Sequence, residues 1–122
     1  MTIQKILIVD DSPTERYYLT DILVRNGFSV ATADNGEDAL AKIRAERPQL
    51  ILMDVVLPGA NGFQVTRAIA RDPELAAVPV IICSSKNQET DRIWGMRQGA
   101  KDYFVKPVDE GQLLARIATL GA

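Results

Sequence analysis

The chain has 122 residues, of which 47% are hydrophobic and 25% charged, and its formal net charge is −2. This length is typical of one domain, so residues 1–122 are expected to form a single domain around one compact core. The charge is too small to recruit nucleic acid, no apolar run is long enough to cross a bilayer, and the amino terminus lacks a secretory signal pattern. We therefore expect a cytoplasmic protein without direct nucleic-acid binding or membrane insertion.

Apolar runs alternate with segments of helical period along the whole chain. The first half predicts a strand at 4–9, a helix that opens at Ser12 and stops at Asn26-Gly27, a strand at 28–33, and a helix from Asn35-Gly36 to Pro48. The second half predicts strands at 50–53, 78–83 and 102–105 and helices at about 62–71, 88–98 and 109–120. Ser12 followed by Glu15 predicts a capping box on the first helix.

Strict strand–helix alternation predicts an α/β fold of the flavodoxin-like type. We expect a doubly wound, five-stranded parallel sheet with five helices, because each parallel crossover needs a helix to return the chain. The first, third and fourth strands are continuously apolar and suit the centre, whereas the second and fifth are more polar and suit the edges. The strand order 2-1-3-4-5 satisfies this pattern.

Polar side chains directly follow four of these strands. They are Asp10-Asp11, Asp54, Ser84-Ser85 and Lys106. The carboxyl ends of parallel strands meet at one edge of the sheet, which is where ligands bind in open α/β folds. Three carboxylates, hydroxyls and one ammonium at that edge predict a site for a divalent metal and a phosphoryl group. The sequence has no histidine, which excludes Ser–His triads and histidine ligands from the chain itself.

With these positions, the chain resembles the receiver domain of bacterial two-component response regulators from Ile6 to about Leu120. The resemblance implies a signalling protein rather than an enzyme, which accepts a phosphoryl group from a histidine kinase and assists its own phosphorylation and dephosphorylation. It implies that Asp10 and Asp11 are the acidic pair and that Asp54 is the phosphoacceptor. Ser84 would be the switch hydroxyl, with Ser85 as the alternative, and Tyr103 the switch aromatic residue. Lys106 would be the lysine of the site, joined to Pro107 by a cis peptide bond.

The acidic cluster predicts Mg²⁺ as the cofactor. Clustered carboxylates repel one another unless a dication neutralises them, and Mg²⁺ prefers oxygen ligands. We expect direct ligation by Asp11, Asp54 and the backbone carbonyl of Val56, with Asp10 acting mainly through water. Asp54 is then the nucleophile, and Lys106 and Ser84 stabilise charge on the phosphoryl oxygens.

Signal transmission is expected to start at the switch hydroxyl. A phosphoryl oxygen draws Ser84 inward and lets the Tyr103 ring turn from an outward to a buried position, which changes the face formed by the fourth helix, fifth strand and fifth helix. On that helix, Ile93, Trp94 and Met96 are interpreted as core or semi-exposed packing residues. An exposed Trp94 would instead be a plausible anchor for a partner. Cys83, the single cysteine, lies inside a strand-like run and is predicted to be buried and inert.

Val56 and Lys86 occupy the two positions that flank the phosphate and tune its hydrolysis across the family. A valine side chain cannot orient an attacking water, so we predict a long-lived acyl phosphate.

Surface segments after Asp11, Ser85 and Lys106 resemble more narrowly the stand-alone regulators of type IV pilus twitching motility. The resulting hypothesis is a single-domain response regulator in twitching or chemotaxis-like signalling, a monomer or weak dimer with an unknown downstream protein. A phosphate sink for a shared kinase and a phosphorylation-independent adaptor remain alternatives.

Two other classes of protein fit the residue pattern less well. An aspartyl phosphohydrolase commonly has a second Asp two residues after the nucleophile, where this chain has Val56. In a flavodoxin-like cofactor binder, the loop after the first strand would cradle phosphate, which Asp10-Asp11 would repel.

Overall fold

Five parallel strands form the central sheet of the structure, a computed structural model that describes residues 2–121. They are β1 (Lys5–Val9), β2 (Ser29–Ala33), β3 (Leu50–Met53), β4 (Val80–Ser84) and β5 (Asp102–Val105). The strand order is β2-β1-β3-β4-β5, and every neighbouring pair is parallel. This order confirms the predicted topology, with the two more polar strands at the edges.

Five helices cover the two faces of the sheet. They are α1 (Pro13–Arg25), α2 (Gly36–Glu46), α3 (Gly62–Arg71), α4 (Glu89–Arg97) and α5 (Glu110–Leu120). Because side chains alternate across a strand, Ile6 and Ile8 of β1 pack with α1 and α5, whereas Leu7 and Val9 pack with α2 and α3. The strand thus contributes to two separate core layers, as a fully covered parallel sheet requires.

Strand β4 lies further along the chain than predicted. Pro79 has no N–H to donate, so it contributes only its carbonyl, which accepts the Ile51 N–H at 3.0 Å. At the other end, the Lys106 N–H donates to the Ser84 carbonyl at 2.8 Å and keeps Ser84 within the sheet. The strand therefore spans Val80–Ser84 instead of 78–83, and its last residue lies buried at the functional edge.

The capping box predicted for α1 is wrong. The Ser12 hydroxyl accepts the Glu15 N–H at 3.3 Å, as expected of an N-cap. However, the Ser12 N–H donates to the Asp10 carboxylate at 2.9 Å, so it is not available to the Glu15 side chain. A complete capping box forms on α3 instead, between Asn61 and Gln64.

Cys83 is buried in the layer shared with α1 and α5, as predicted. Burial raises the pKa of its thiol to about 12, with smaller opposing contributions from nearby charges. A thiol that stays protonated is a poor nucleophile, which agrees with a packing role. Within residues 2–121, no helix combines the length and the apolar character that crossing a bilayer requires.

Candidate functional site

Three carboxylates converge where β1 and β3 end. One oxygen from each of Asp10, Asp11 and Asp54 lies within 4.8 Å of the other two. Asp10 is 2% exposed and Asp54 is 7% exposed, while Asp11 faces solvent. Asp10 and Asp54 are held because their N–H groups continue the sheet, donating to the carbonyls of Ala33 and Val9 at 3.0 and 2.9 Å.

The Lys106 ammonium reaches this cluster from the end of β5. Its Nζ lies 2.7 Å from Oδ2 of Asp10 and 3.5 Å from Oδ1 of Asp54. The Lys106–Pro107 peptide bond is cis, as the family resemblance implied. Burial alone would lower the pKa of Lys106, but its hydrogen bond to Asp10 and the charge of Asp54 outweigh burial and raise the pKa. The side chain is therefore a cation throughout the physiological range.

Asp54 retains a net unfavourable environment for its charge. Burial and the nearby charge of Asp10 raise the pKa of Asp54, and they outweigh Lys106 and the Val55 N–H, which donates to Oδ1 at 2.8 Å. Three carboxylates and one ammonium leave this pocket with excess negative charge. A dication would relieve that excess, so the electrostatics favour a metal beside Asp54.

The donor atoms suit a magnesium ion. All three side-chain donors are carboxylate oxygens close enough to share one ion, and Mg²⁺ binds through few carboxylates while keeping waters. Asp10, Asp11 and Asp54 are therefore the side chains that would hold it, together with the Val56 carbonyl predicted from the sequence. The Val55 carbonyl points elsewhere and accepts the Gly62 N–H at 2.7 Å.

Gly62 lets α3 begin directly against Asp54. A Cβ atom at this position would lie 1.9 Å from the backbone oxygen of Asp54. Only glycine permits this approach. The loop between β3 and α3 is thereby held close to Asp54, with the Val56 side chain exposed above it.

The two serines at the end of β4 have different surroundings. Ser84 is fully buried, and its Oγ accepts the Lys86 N–H at 3.1 Å, whereas Ser85 is exposed. This difference favours Ser84 as the switch hydroxyl. Tyr103 is 5% exposed, and its hydroxyl donates to the Lys86 carbonyl at 2.8 Å. The ring thus already occupies the buried position, not the outward one expected as the starting state.

Three apolar side chains of α4 lie in the open, so the prediction that they pack into the core is wrong and the exposed alternative for Trp94 holds. Ile93, Trp94 and Met96 are exposed by 45%, 48% and 38%. The residue that faces the sheet is Gly95, where an added Cβ would lie 2.8 Å from Ile82 Cδ1. Because the helix approaches the sheet through a glycine, its large apolar side chains project outward.

Two contacts around the site were not anticipated from the sequence. The Arg16 guanidinium donates to the Asp10 carbonyl at 2.8 Å, and the Tyr18 hydroxyl donates to the Val108 carbonyl at 2.7 Å. Both side chains come from the start of α1, directly after the acidic pair. The polar group at the end of each side chain was the available signal, but the partners lie in other segments.

A sheet of this order, with an acidic pair after β1, an aspartate after β3 and a lysine after β5, defines a response regulator receiver domain. The family model described as the response regulator receiver domain matches residues 6–118, and the chain belongs to that family. Among individual proteins, it is 57% identical to Protein PilH of Pseudomonas aeruginosa over 113 residues, which cover 93% of each chain.

Other relatives and solved structures agree with this assignment. The chain is 44% identical to transcriptional regulatory protein AfsQ1 of Streptomyces coelicolor, covering 92% of this chain and 48% of that protein. Chemotaxis response regulator CheY4 of Vibrio cholerae superposes with a TM-score of 0.88 at 29% identity, covering 98% of this chain and 99% of that chain. The BeF₃-activated RstA receiver domain of Klebsiella pneumoniae gives 0.87 at 27% identity, covering 95% and 97%.

Proposed function

We propose that this chain is a single-domain response regulator whose Asp54 accepts a phosphoryl group from the phosphohistidine of a histidine kinase. The observation that carries the proposal is the position of the Lys106 ammonium, 2.7 Å from Asp10 and 3.5 Å from Asp54, both of which are buried carboxylates. This arrangement supplies a nucleophile and a fixed cation for a transferring phosphoryl group. The donor histidine belongs to the kinase, because this chain contains none.

The transfer needs one bond to form and one to break. An oxygen of the Asp54 carboxylate forms the new bond to phosphorus, while the bond from phosphorus to the imidazole nitrogen breaks and leaves its electron pair on that nitrogen. Lys106 donates to an equatorial phosphoryl oxygen, and the Ser84 hydroxyl donates to another. Magnesium, when bound by Asp10, Asp11, Asp54 and the Val56 carbonyl, would neutralise the carboxylates and the phosphoryl charge.

The output is proposed to pass through the face formed by α4, β5 and α5. The Lys86 backbone is hydrogen-bonded to Ser84 on one side and Tyr103 on the other, so a shift of the switch hydroxyl changes the start of α4. The exposed apolar side chains of Ile93, Trp94 and Val105 lie on this face and suit contact with a downstream protein. The partner therefore senses phosphorylation through the surface of α4.

The pathway proposed is type IV pilus twitching motility, with action in the cytoplasm. Its support is the 57% identity to PilH over nearly the whole chain. A chromosomal deletion complemented with native or Asp54→Asn protein tests this assignment. Restoration of twitching by the native chain alone is expected, whereas equal restoration by both proteins would favour a phosphorylation-independent adaptor.

Phosphorylation itself is tested by intact-protein mass spectrometry after incubation with acetyl phosphate and Mg²⁺. One added phosphate is expected on the native chain and none on Asp54→Asn. Asp34→Asn is the matched control, because Asp34 is an exposed aspartate outside the cluster. Chelation of divalent cations should abolish the labelling. Labelling of the Asp54→Asn variant, or labelling that persists under chelation, would refute the assignment.

The lifetime of the acyl phosphate is proposed to be long because Val56 offers no hydrogen bond to an attacking water. Its side chain is 56% exposed beside the phosphoacceptor. Val56→Asn adds an amide that can orient water, so the purified phosphoprotein should lose phosphate faster than the native chain in Mg²⁺ buffer. An unchanged decay rate would show that this position does not control hydrolysis.

A further inference from the structure

An arginine on the first turn of α1 reaches back past the start of its own helix. The backbone N–H of Arg16 donates to the Ser12 carbonyl at 3.0 Å, yet its guanidinium donates to the Asp10 carbonyl at 2.8 Å. Strand β2 ends at Ala33, whose carbonyl accepts the Asp10 N–H, and the ladder between β1 and β2 stops there. The arginine therefore supplies the Asp10 carbonyl with the donor that the sheet no longer offers.

The hydrogen bond from Arg16 holds the peptide group between two residues of the carboxylate cluster. The Asp10 carbonyl is part of the peptide that joins Asp10 to Asp11. The Asp10 side chain is anchored at both oxygens: Oδ1 accepts the Ser12 N–H at 2.9 Å, and Oδ2 lies 2.7 Å from the Lys106 ammonium. Asp11 faces solvent, so the direction of its carboxylate depends on the orientation of the peptide before it.

The charge of Arg16 works against a cation at this site. A helix N-terminus carries partial positive charge, and a guanidinium beside it adds to the positive potential. Asp34 and Asp38 line the same recess as Arg16 and offset part of this charge, but Lys42 adds another cation there. Electrostatics alone therefore predict weaker Mg²⁺ binding with arginine than with a neutral residue, whereas the hydrogen bond to the backbone predicts stronger binding.

We propose that Arg16 is a positioning residue for the cation site. Its hydrogen bond to the Asp10 carbonyl fixes the peptide that aims the Asp11 carboxylate at Mg²⁺. Groups that orient a metal ligand without touching the metal commonly govern metal affinity. This inference rests on the Mg²⁺-dependent phosphotransfer proposed above and deepens it. Because the contact is to the backbone of Asp10, the loss of the arginine should weaken cation binding through Asp11.

The test measures Mg²⁺ affinity with no phosphodonor present. Amide chemical shifts of the native chain, Arg16→Met, Arg16→Lys and the control Arg67→Met are followed by NMR during a MgCl₂ titration at constant ionic strength. Arg67 is an exposed arginine of α3, and the same spectra show whether each variant is folded. We expect Arg16→Met to raise the dissociation constant by about tenfold, the lower end of the loss typical for a group that orients a metal ligand. Arg67→Met should match the native chain.

The sign of the change separates positioning from charge. If Arg16 acted through its charge alone, Arg16→Met would bind Mg²⁺ more tightly than both the native chain and Arg16→Lys. Positioning predicts the reverse order, with Arg16→Lys in between, because an ammonium can still donate to the Asp10 carbonyl. Native or tighter binding in Arg16→Met, or a lower midpoint of thermal unfolding with unchanged affinity, would overturn the proposal.

A double-mutant cycle tests whether Arg16 acts through Asp11. Asp11→Asn removes the ligand that the arginine positions, so adding Arg16→Met to it should cause no further loss of Mg²⁺ affinity. An equal loss in both backgrounds would refute the positioning role. If the native chain and these variants bind Mg²⁺ as expected but acetyl phosphate never labels Asp54, the proposed phosphotransfer fails while the role of Arg16 stands. Absence of Mg²⁺ binding by the native chain would overturn both.

Discussion

The Tyr103 hydroxyl donates a hydrogen bond to the backbone carbonyl of Lys86 at 2.8 Å. The N–H of the same lysine donates to the Ser84 hydroxyl at 3.1 Å. One residue of the loop between β4 and α4 therefore joins the aromatic side chain of β5 to the serine at the end of β4. A displacement of Ser84 is transmitted to Tyr103 through the backbone of Lys86, so the two side chains are expected to respond together.

Replacing Tyr103 with phenylalanine should loosen this connection without emptying the core. The ring remains buried, but the hydrogen bond to the Lys86 carbonyl is lost, so the free energy of unfolding should fall by about 1 kcal/mol. Amide hydrogen exchange should accelerate at residues 86–88. Tyr17→Phe is the control, since that ring is 76% exposed. Unchanged exchange in the loop would contradict the proposed connection.

Asp54→Asn should stabilise the fold at neutral pH in the absence of divalent cations. Burial, followed by the charge of Asp10, raises the pKa of Asp54 above its ordinary 3.8. The folded state therefore keeps the proton to a higher pH than the unfolded state, and the folded chain loses stability as the pH rises through the folded pKa. Removing the charge removes that loss.

The expected gain is a higher midpoint of thermal unfolding at pH 7. The difference between the native chain and Asp54→Asn should shrink as the pH falls below 3.8, where the native carboxyl becomes protonated in both states. Differential scanning calorimetry across this range, with a chelator present, measures it. A difference that does not depend on pH would rule out the charge as the cause.

The parts of the molecule that the sequence predicted well depend on local patterns. Continuous apolar runs identified the central strands, and the residues after them identified the carboxylates and lysine of the site, because parallel topology brings strand ends together without further information. Ser84 could be placed at the same edge for this reason. The choice of Ser84 over Ser85 as the switch hydroxyl required the structure, because it rests on the burial of Ser84. That burial depends on how β5 extends the sheet.

The sequence-based predictions that failed concern positions where two groups compete for one hydrogen-bond partner or for one packing position. The predicted capping box on α1 failed because Asp10 takes the Ser12 N–H, a competition that the pattern of Ser12 and Glu15 does not contain. The exposure of Trp94 depends on how closely Gly95 approaches Ile82, a contact between distant segments. Such outcomes follow from tertiary packing and were not available from helical periodicity.

Arg47 offers a way to stabilise the chain away from the site. It caps α2 in the left-handed region, with φ of 49°, while its N–H donates to the Ile43 carbonyl at 3.1 Å. A side chain makes this conformation unfavourable, and glycine adopts it freely. Arg47→Gly should raise the free energy of unfolding by about 0.5–1 kcal/mol in a urea titration.

The matched control for Arg47→Gly is Arg92→Gly, which changes an exposed arginine in the helical interior of α4. Glycine there should lower the free energy of unfolding by about 1 kcal/mol. Opposite signs for the two substitutions are expected because only Arg47 has a positive φ. A loss of stability in both variants would show that Arg47 makes contacts that outweigh its backbone conformation.

Trp94 should report directly on the surface of α4. It is the single tryptophan of the chain and is 48% exposed, so the native fluorescence should be red-shifted and readily quenched by acrylamide. Trp94→Ala should change the free energy of unfolding by less than about 0.5 kcal/mol. By comparison, Leu23→Ala, which empties a buried position in the core, should cost about 2–5 kcal/mol. Blue-shifted emission that resists quenching, or a large loss of stability in Trp94→Ala, would mean that the indole packs into the protein.

With the exposed arrangement, phosphorylation can alter how α4 presents the indole without rebuilding the core. Addition of acetyl phosphate and Mg²⁺ should therefore change the emission of the native chain but not of Asp54→Asn.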